Sequence, residues 1–196
     1  NFLHLENYPF RRRGPLRPRL LWVRSFARLY HPKLAIEVLA GLVRTHPDAC
    51  LCMVGPDKDG SLQECRALAR ELGVADRVRF TGRLSKAEWI ALSAEYDIFI
   101  NTTNFDNTPV SVMEAMALGM AVMSTDVGGV PFLVKDQAEG LLVPPEDSQA
   151  MSTAILRLIN EPELARNLSR HAREKAETLD SKAVLQAWVQ LLKGNK

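Results

Sequence analysis

Residues 105–119 read FDNTPVSVMEAMALG. Val110, Met113, Met116 and Ala117 recur at the spacing of one helix face, and Gly119 stands where such a helix would stop. Two details do not fit an ordinary core helix. It opens on Asn-Thr-Pro directly after a hydrophobic strand, and Glu114 lies one turn or a little more inside it, with Asp106 eight positions earlier. Capping by Asp106 and a solvated face for Glu114 would be the plain structural explanation. The helical neighbours of Glu114 are almost all apolar, which argues against that explanation.

Outward from this stretch the chain alternates strand and helix patterns. Upstream come LLWV (20–23), the helix-spaced PKLAIEVLAGLVRTH (32–46), CLCMVG (50–55), SLQECRALARELG (61–73), RVRFTG (77–82), SKAEWIALSAEY (85–96) and DIFIN (97–101). Ser85 and Glu88 form a capping-box pattern. Downstream come MAVMST (120–125), GLLVP (140–144) and helical segments near 147–160, 162–178 and 181–193. Strands separated by helices of this length imply right-handed crossovers and a doubly wound parallel sheet, a Rossmann-like α/β fold. Ligands in such sheets bind beyond the carboxyl ends of the strands.

Chemistry is therefore expected just after each strand. RSFARLYHPK (24–33) clusters Arg24, Arg28 and Lys33, either as charges of a solvated loop or as cations for a diphosphate. GPDKDG (55–60) is a polar turn with no distinguishing chemistry. In TGRLSKAEW (81–89), Gly82 permits close backbone approach, and main chain from Gly82 through Arg83 to Leu84 could meet a nucleobase edge. At the next strand end, Thr108 or Asn107 reads as N-cap and Pro109 as the first helical residue. The free amides around Thr108, Pro109 and Val110, at the positive end of the helix dipole, then suit a phosphate. Glu114 could accept hydrogen bonds from vicinal ribose hydroxyls, and Asp106 could reach hydroxyls beyond the phosphates. Gly128 and Gly129 make a loop without side chains, which fits close backbone approach and a plain turn equally well.

Bulk composition narrows the classes. A chain of 196 residues with 46% hydrophobic and 24% charged residues is typical of a globular protein, and a net charge of +2 is too small for a dedicated nucleic-acid binder. No apolar run approaches the roughly 20 residues needed to cross a bilayer. Cys50, Cys52 and Cys65 match no metal spacing and suit a reducing compartment. Residues 1–19 show no clear period and no export signal, and 11–19 hold five arginines and two prolines. They read as a solvated connector from another domain, with the arginines compatible with anionic lipid.

In their order, the basic loop, RVRFTGRLSKAEW, FDNTPVSVMEAMALGMAVMSTDVGGVPFLV and GLLVPPED resemble the nucleotide-sugar-binding half of family 4 retaining glycosyltransferases with the two-Rossmann (GT-B) fold. The resemblance covers roughly residues 20–180, leaving 181–196 as a C-terminal helix. The family's acid, seven residues and Glu fall on Asp106 and Glu114, with Asp where Glu is commoner, and Phe132 stands where many relatives carry Glu. The resemblance implies that Glu114 holds the ribose and Asp106 the donor sugar. Lys33 and Arg28, with Arg24 as the rival, then stabilise the diphosphate leaving group without a metal or cofactor. It further implies a cytoplasmic bacterial enzyme of polysaccharide, lipopolysaccharide or glycolipid synthesis, peripheral at the inner membrane. A carbohydrate or lipid acceptor would be held by an amino-terminal domain, and this chain would be inactive alone. The alternatives are a nucleotide-sugar epimerase of the same architecture, a non-catalytic nucleotide- or carbohydrate-binding module, and a purely structural domain.

Overall fold

The computed structural model describes residues 1–193. Among these, strands β1 (Arg19–Val23), β2 (Cys50–Val54), β3 (Val78–Gly82), β4 (Ile98–Asn101), β5 (Ala121–Thr125) and β6 (Leu141–Val143) form one parallel sheet in the order β3-β2-β1-β4-β5-β6. The helices are α1 (Pro32–Val43), α2 (Ser61–Glu71), α3 (Lys86–Leu92), α4 (Val110–Ala117), α5 (Val130–Leu133), α6 (Ser148–Asn160), α7 (Pro162–Thr178) and α8 (Ser181–Lys193). The fold is thus the expected Rossmann-like α/β architecture. β1 is central: Leu20 pairs with Leu51 of β2 on one side and Ile98 of β4 on the other. The chain winds outward from β1 through β2 to β3, then returns to place β4 on the opposite flank. The crevice beyond the carboxyl ends of β1 and β4 is the switch point, where ligands of such sheets bind.

Both faces of the sheet are apolar, as buried parallel strands require. Leu20, Trp22, Leu51, Met53, Ile98 and Ile100 share one core with α1, α2 and α6. Leu21, Cys52, Phe99 and Val122 share the other with α3 and α4. Cys50 packs at the edge of that second core, on the same side as Cys52. Helix α7 joins the two layers, since Ala165 and Leu168 belong to the first core and Ala172 and Ala176 to the second.

Element ends differ from expectation in three places. The Ser85–Glu88 capping box forms, but the helix stops at Leu92 and a 3₁₀ turn, Ser93–Glu95, completes the segment. Helix α4 starts at Val110 with Pro109 as an extended N-cap and no side-chain cap, because the Asp106 carboxylate instead accepts from the Thr108 amide at 3.2 Å. The expected C-terminal helix over 181–196 is seen as Ser181–Lys193, and 194–196 lie outside the described residues.

The largest difference is the segment before β1. It does not behave as a solvated connector but is folded against the domain. Leu3 forms a parallel bridge with Asp180, and Leu3, Tyr8 and Leu16 are buried. Arg13, its side chain 6% exposed, donates to the carbonyls of Tyr96 (3.1 Å), Leu118 (2.9 Å) and Ser93 (3.2 Å) and lies 3.9 Å from the Asp97 carboxylate. Arg17 donates to the same carboxylate at 2.7 Å. Burial pushes the Arg13 guanidinium down to about 10, against the opposing pull of Asp97. Two of the five arginines compatible with anionic lipid are therefore engaged with Asp97.

Removing the Arg13 fork would strand three carbonyls and part of a buried carboxylate. Arg13→Met is expected to lower unfolding free energy by about 3 kcal/mol, whereas exposed Arg12→Met stays within about 0.5 kcal/mol. Urea unfolding of the two variants measures this, and equal losses would contradict an integrated amino-terminal segment.

Candidate functional site

The carboxyl ends of the strands are tied together by buried hydroxyls. The Trp22 indole donates to Thr102 Oγ1 at 3.0 Å, and the Thr102 hydroxyl donates to the Tyr30 carbonyl at 2.9 Å. The Asn104 amide donates to the Leu29 carbonyl at 2.9 Å, so the loop after β1 is fastened to the loop after β4. The Thr125 hydroxyl donates to the Thr103 carbonyl at 2.6 Å, which adds the end of β5. Gly129 approaches the Asp106–Asn107 turn so closely that a Cβ there would lie 1.8 Å from the Asn107 carbonyl oxygen. The close approach available to a glycine is thus used by the chain's own backbone, with the Gly129 amide donating to the Asp106 carbonyl at 2.8 Å.

Two adjoining hollows open over these ends. The larger, about 480 Å³, is lined by Arg24, Lys58, Arg83, Leu84, Lys86, Trp89, Val110, Ser111 and Glu114 among others. The smaller, about 310 Å³, is lined by Asn1, Leu29, Phe105, Asp106, Asn107 and Thr108. Arg24 and Tyr30 belong to both and stand at their junction. Arg24 ion-pairs with Asp106 and its guanidinium lies 4.4 Å from the centre of the Tyr30 ring. Burial pushes this guanidinium down from its ordinary value, while Tyr30 acts in the opposite direction.

The expected residues divide. Arg24, Arg83, Leu84, Val110 and Glu114 meet in the larger hollow, and Asp106, Asn107 and Thr108 in the smaller, with Pro109 joining the two stretches. Gly82 lies behind them, its carbonyl accepting from the Gly55 amide at 2.9 Å. Arg28 and Lys33 are not brought to Asp106 or Glu114. Both lie beside Glu64 of α2, at 3.2 and 3.5 Å, and the Arg28 side chain is 77% exposed. The cause is local: the Arg28 amide donates to Asp59 at 2.8 Å, and the 3₁₀ turn Arg28–Tyr30 directs the loop toward α2. Arg24 leaves β1 directly and so stays over the strand end. It is held there by Gly55, where a Cβ would lie 1.7 Å from the Arg24 carbonyl oxygen and where φ is +151°.

Glu114 is 3% exposed in a helix otherwise packed into the core. Its Oε1 accepts from the Tyr8 hydroxyl at 2.7 Å and from Lys86 Nζ. The Ser111 hydroxyl, 7% exposed, lines the hollow with no hydrogen-bond partner among the described residues. At the start of α4 the amides of Val110 and Ser111 likewise find no acceptor among the described residues. Net positive lining, unpartnered donors and one buried carboxylate suit an anion with hydroxyl groups attached. Among the described residues no group of three or more His, Cys, Asp or Glu is arranged to hold a metal, and no helix is long and apolar enough to cross a membrane.

Sequence reading missed Lys58, Lys86, Ser111, Tyr30 and Tyr8. Lys58 was hidden in a turn of ordinary polar composition. Lys86 stood inside a capping motif that already accounted for its neighbours. Ser111 is the one hydroxyl in an apolar helix, a signal that was legible. Tyr8 lies in a segment without period, and nothing local announces its partner.

The chain is similar to known proteins. The D-inositol 3-phosphate glycosyltransferase of Saccharomonospora viridis is 33% identical over 167 residues, covering 79% of this chain and 38% of the relative. The chain thus spans about two fifths of the length of the curated relatives it matches, as for the N-acetyl-alpha-D-glucosaminyl L-malate synthase of Bacillus anthracis, 29% identical with 79% of this chain and 39% of that protein covered. The crystal structure of Anabaena HepE in complex with UDP and glucose is similar in fold, with a TM-score of 0.80 at 22% identity over 89% of this chain and 48% of that one. The profile of one family, Glycosyl transferases group 1, matches residues 12–175, and the chain belongs to that family.

Proposed function

We propose that this chain is the donor-binding, carboxyl-terminal half of a retaining family 4 glycosyltransferase, taking a nucleoside-diphosphate sugar and acting without a metal. The observation that carries the reading is the start of α4. A buried Ser111 hydroxyl and two backbone amides lack partners there, at the mouth of a hollow that also holds Arg24, Lys58, Arg83 and Lys86. The diphosphate rests on this tip, and the ribose reaches Glu114 along the larger hollow. The sugar lies toward Asp106, on the far side of Arg24. As the glycosidic bond breaks, negative charge grows on the diphosphate, and preorganised donors stabilise it without reorganisation. Arg24 takes the part that the family resemblance gave to Arg28 and Lys33, because it stands between the two hollows. UDP in the HepE crystal structure supports a nucleotide donor of this class. The acceptor, a carbohydrate or lipid, would be held by a second domain, and a cytoplasmic enzyme peripheral at the inner membrane fits this reaction.

Uridine, guanosine and adenosine diphosphates screened by thermal unfolding test the assignment. A ligand held at one hundred times its dissociation constant is expected to add about 2.7 kcal/mol, and Glu114→Leu should reduce that gain sharply. No stabilisation by any of the three would refute the donor site. Ser111→Ala is expected to weaken diphosphate binding about tenfold, the worth of a hydrogen bond to a charged group, and to leave the weaker binding of the bare nucleoside unchanged. Equal losses on diphosphate and nucleoside, measured by calorimetry, would move the phosphate away from the α4 tip.

A further inference from the structure

The carboxylate of Glu114 has two oxygens in different circumstances. Oε1 receives both protein donors, the Tyr8 hydroxyl at 2.7 Å and Lys86 Nζ. Oε2 has no protein hydrogen-bond partner among the described residues. A carboxyl group on a three-bond side chain can rotate, and an acceptor that must meet two vicinal hydroxyls loses affinity when it does. Lys86 is a weak restraint, because its side chain is 54% exposed on a flexible stem. Tyr8 is of another kind: buried, rigid, and 106 residues away in sequence.

The backbone around Tyr8 is fastened on both sides. Before it, the Leu3 amide donates to the Leu179 carbonyl at 2.8 Å and the Ser181 amide to the Leu3 carbonyl at 2.7 Å. At Tyr8 itself, Arg173 Nη1 donates to the carbonyl at 2.9 Å while also donating to the Ala117 carbonyl of α4 at 2.7 Å. After it, the Phe10 ring lies 5.7 Å from the Arg173 guanidinium carbon, and the Arg11 amide donates to the Leu118 carbonyl at 3.3 Å. The phenol therefore approaches Glu114 from a support as fixed as α4. Burial, followed by the hydrogen bond and charge of Glu114, pushes the phenol well above its ordinary value, so it stays a donor throughout the working pH range.

We propose that Tyr8 is a positioning residue of the donor site: by holding Oε1 of Glu114 it leaves Oε2 aimed to accept from the vicinal hydroxyls of a ribose. The proposal rests on the donor-site reading above. It makes the amino-terminal segment part of the binding apparatus and not only of the fold. Tyr8 touches no ligand in this arrangement. Its effect is confined to the part of the affinity that depends on ribose hydroxyls.

Calorimetric titration of the chain with a ribonucleoside diphosphate and its 2′,3′-dideoxy analogue separates this role from a structural one. Tyr8→Phe keeps the ring and removes only the hydroxyl. It is expected to weaken the ribose ligand about tenfold, the range of a hydrogen bond to a charged group, and to leave the dideoxy ligand within about twofold. In a Glu114→Gln background, adding Y8F should change neither affinity further, since the carboxylate it positions is gone. Equal loss on both ligands, no loss on either, or a Y8F chain that no longer folds would each make the phenol a structural tie and overturn the proposal. A wild-type chain that binds no nucleoside diphosphate would overturn the donor-site reading and this proposal with it. Wild-type binding that ignores the missing hydroxyls would overturn the ribose contact of Glu114 and the role of Tyr8, leaving the phosphate seat standing.

Discussion

A carboxylate buried inside an apolar helix is the constraint around which the rest of this domain is arranged. Desolvating Glu114 without partners would cost several kcal/mol, and α4 offers none of its own, since every residue from Ser111 to Ala117 is buried and Ser111 alone among its neighbours there is polar. The compensation comes from distant parts of the chain, a lysine at the start of α3 and a phenol from before β1. Replacing the acid by an apolar residue would make a simpler helix. Its presence in so expensive a position is a physical ground for the proposed ligand contact.

The surrounding structure keeps that carboxylate in register with the unpartnered start of α4. Hydroxyls at the ends of β4 and β5 fix the loops on which Arg24, Tyr30 and Asp106 stand. Gly129 sets the height of the Asp106 turn by packing directly on backbone. Arg24 then stands between the two hollows of the crevice. None of these contacts involves a flexible surface side chain alone, which is what preorganised electrostatic stabilisation requires.

The alternation of apolar strands with amphipathic helices made the parallel sheet legible, and each strand and long helix lies within a few residues of its expected place. Glu114 and Asp106 were legible too, because their positions conflict with the pattern around them. What the pattern hid was long-range or irregular. Which of Arg24 and Arg28 faces the crevice depends on which way a loop turns, and that turn is tied to Asp59, a residue in a different loop. The cap of α4 was misplaced by a residue because the Asp106 side chain satisfies Thr108 locally instead of leaving Thr108 to cap. The amino-terminal segment has no period because its residues are held singly, by Leu179, Arg173 and Leu118, and periodicity records only regular partners.

The bridge between Leu3 and Asp180 brings together points separated by nearly the whole described chain. Such a contact cannot form on a nascent polypeptide until the end of α7 has left the ribosome, and closing so long a loop is slow relative to local pairing. The sheet and α4 are complete well before that moment, yet Glu114 still lacks the phenol delivered by the segment before β1. Maturation of the pocket is thereby coupled to the arrival of α7, with a segment made before the sheet among the last to settle.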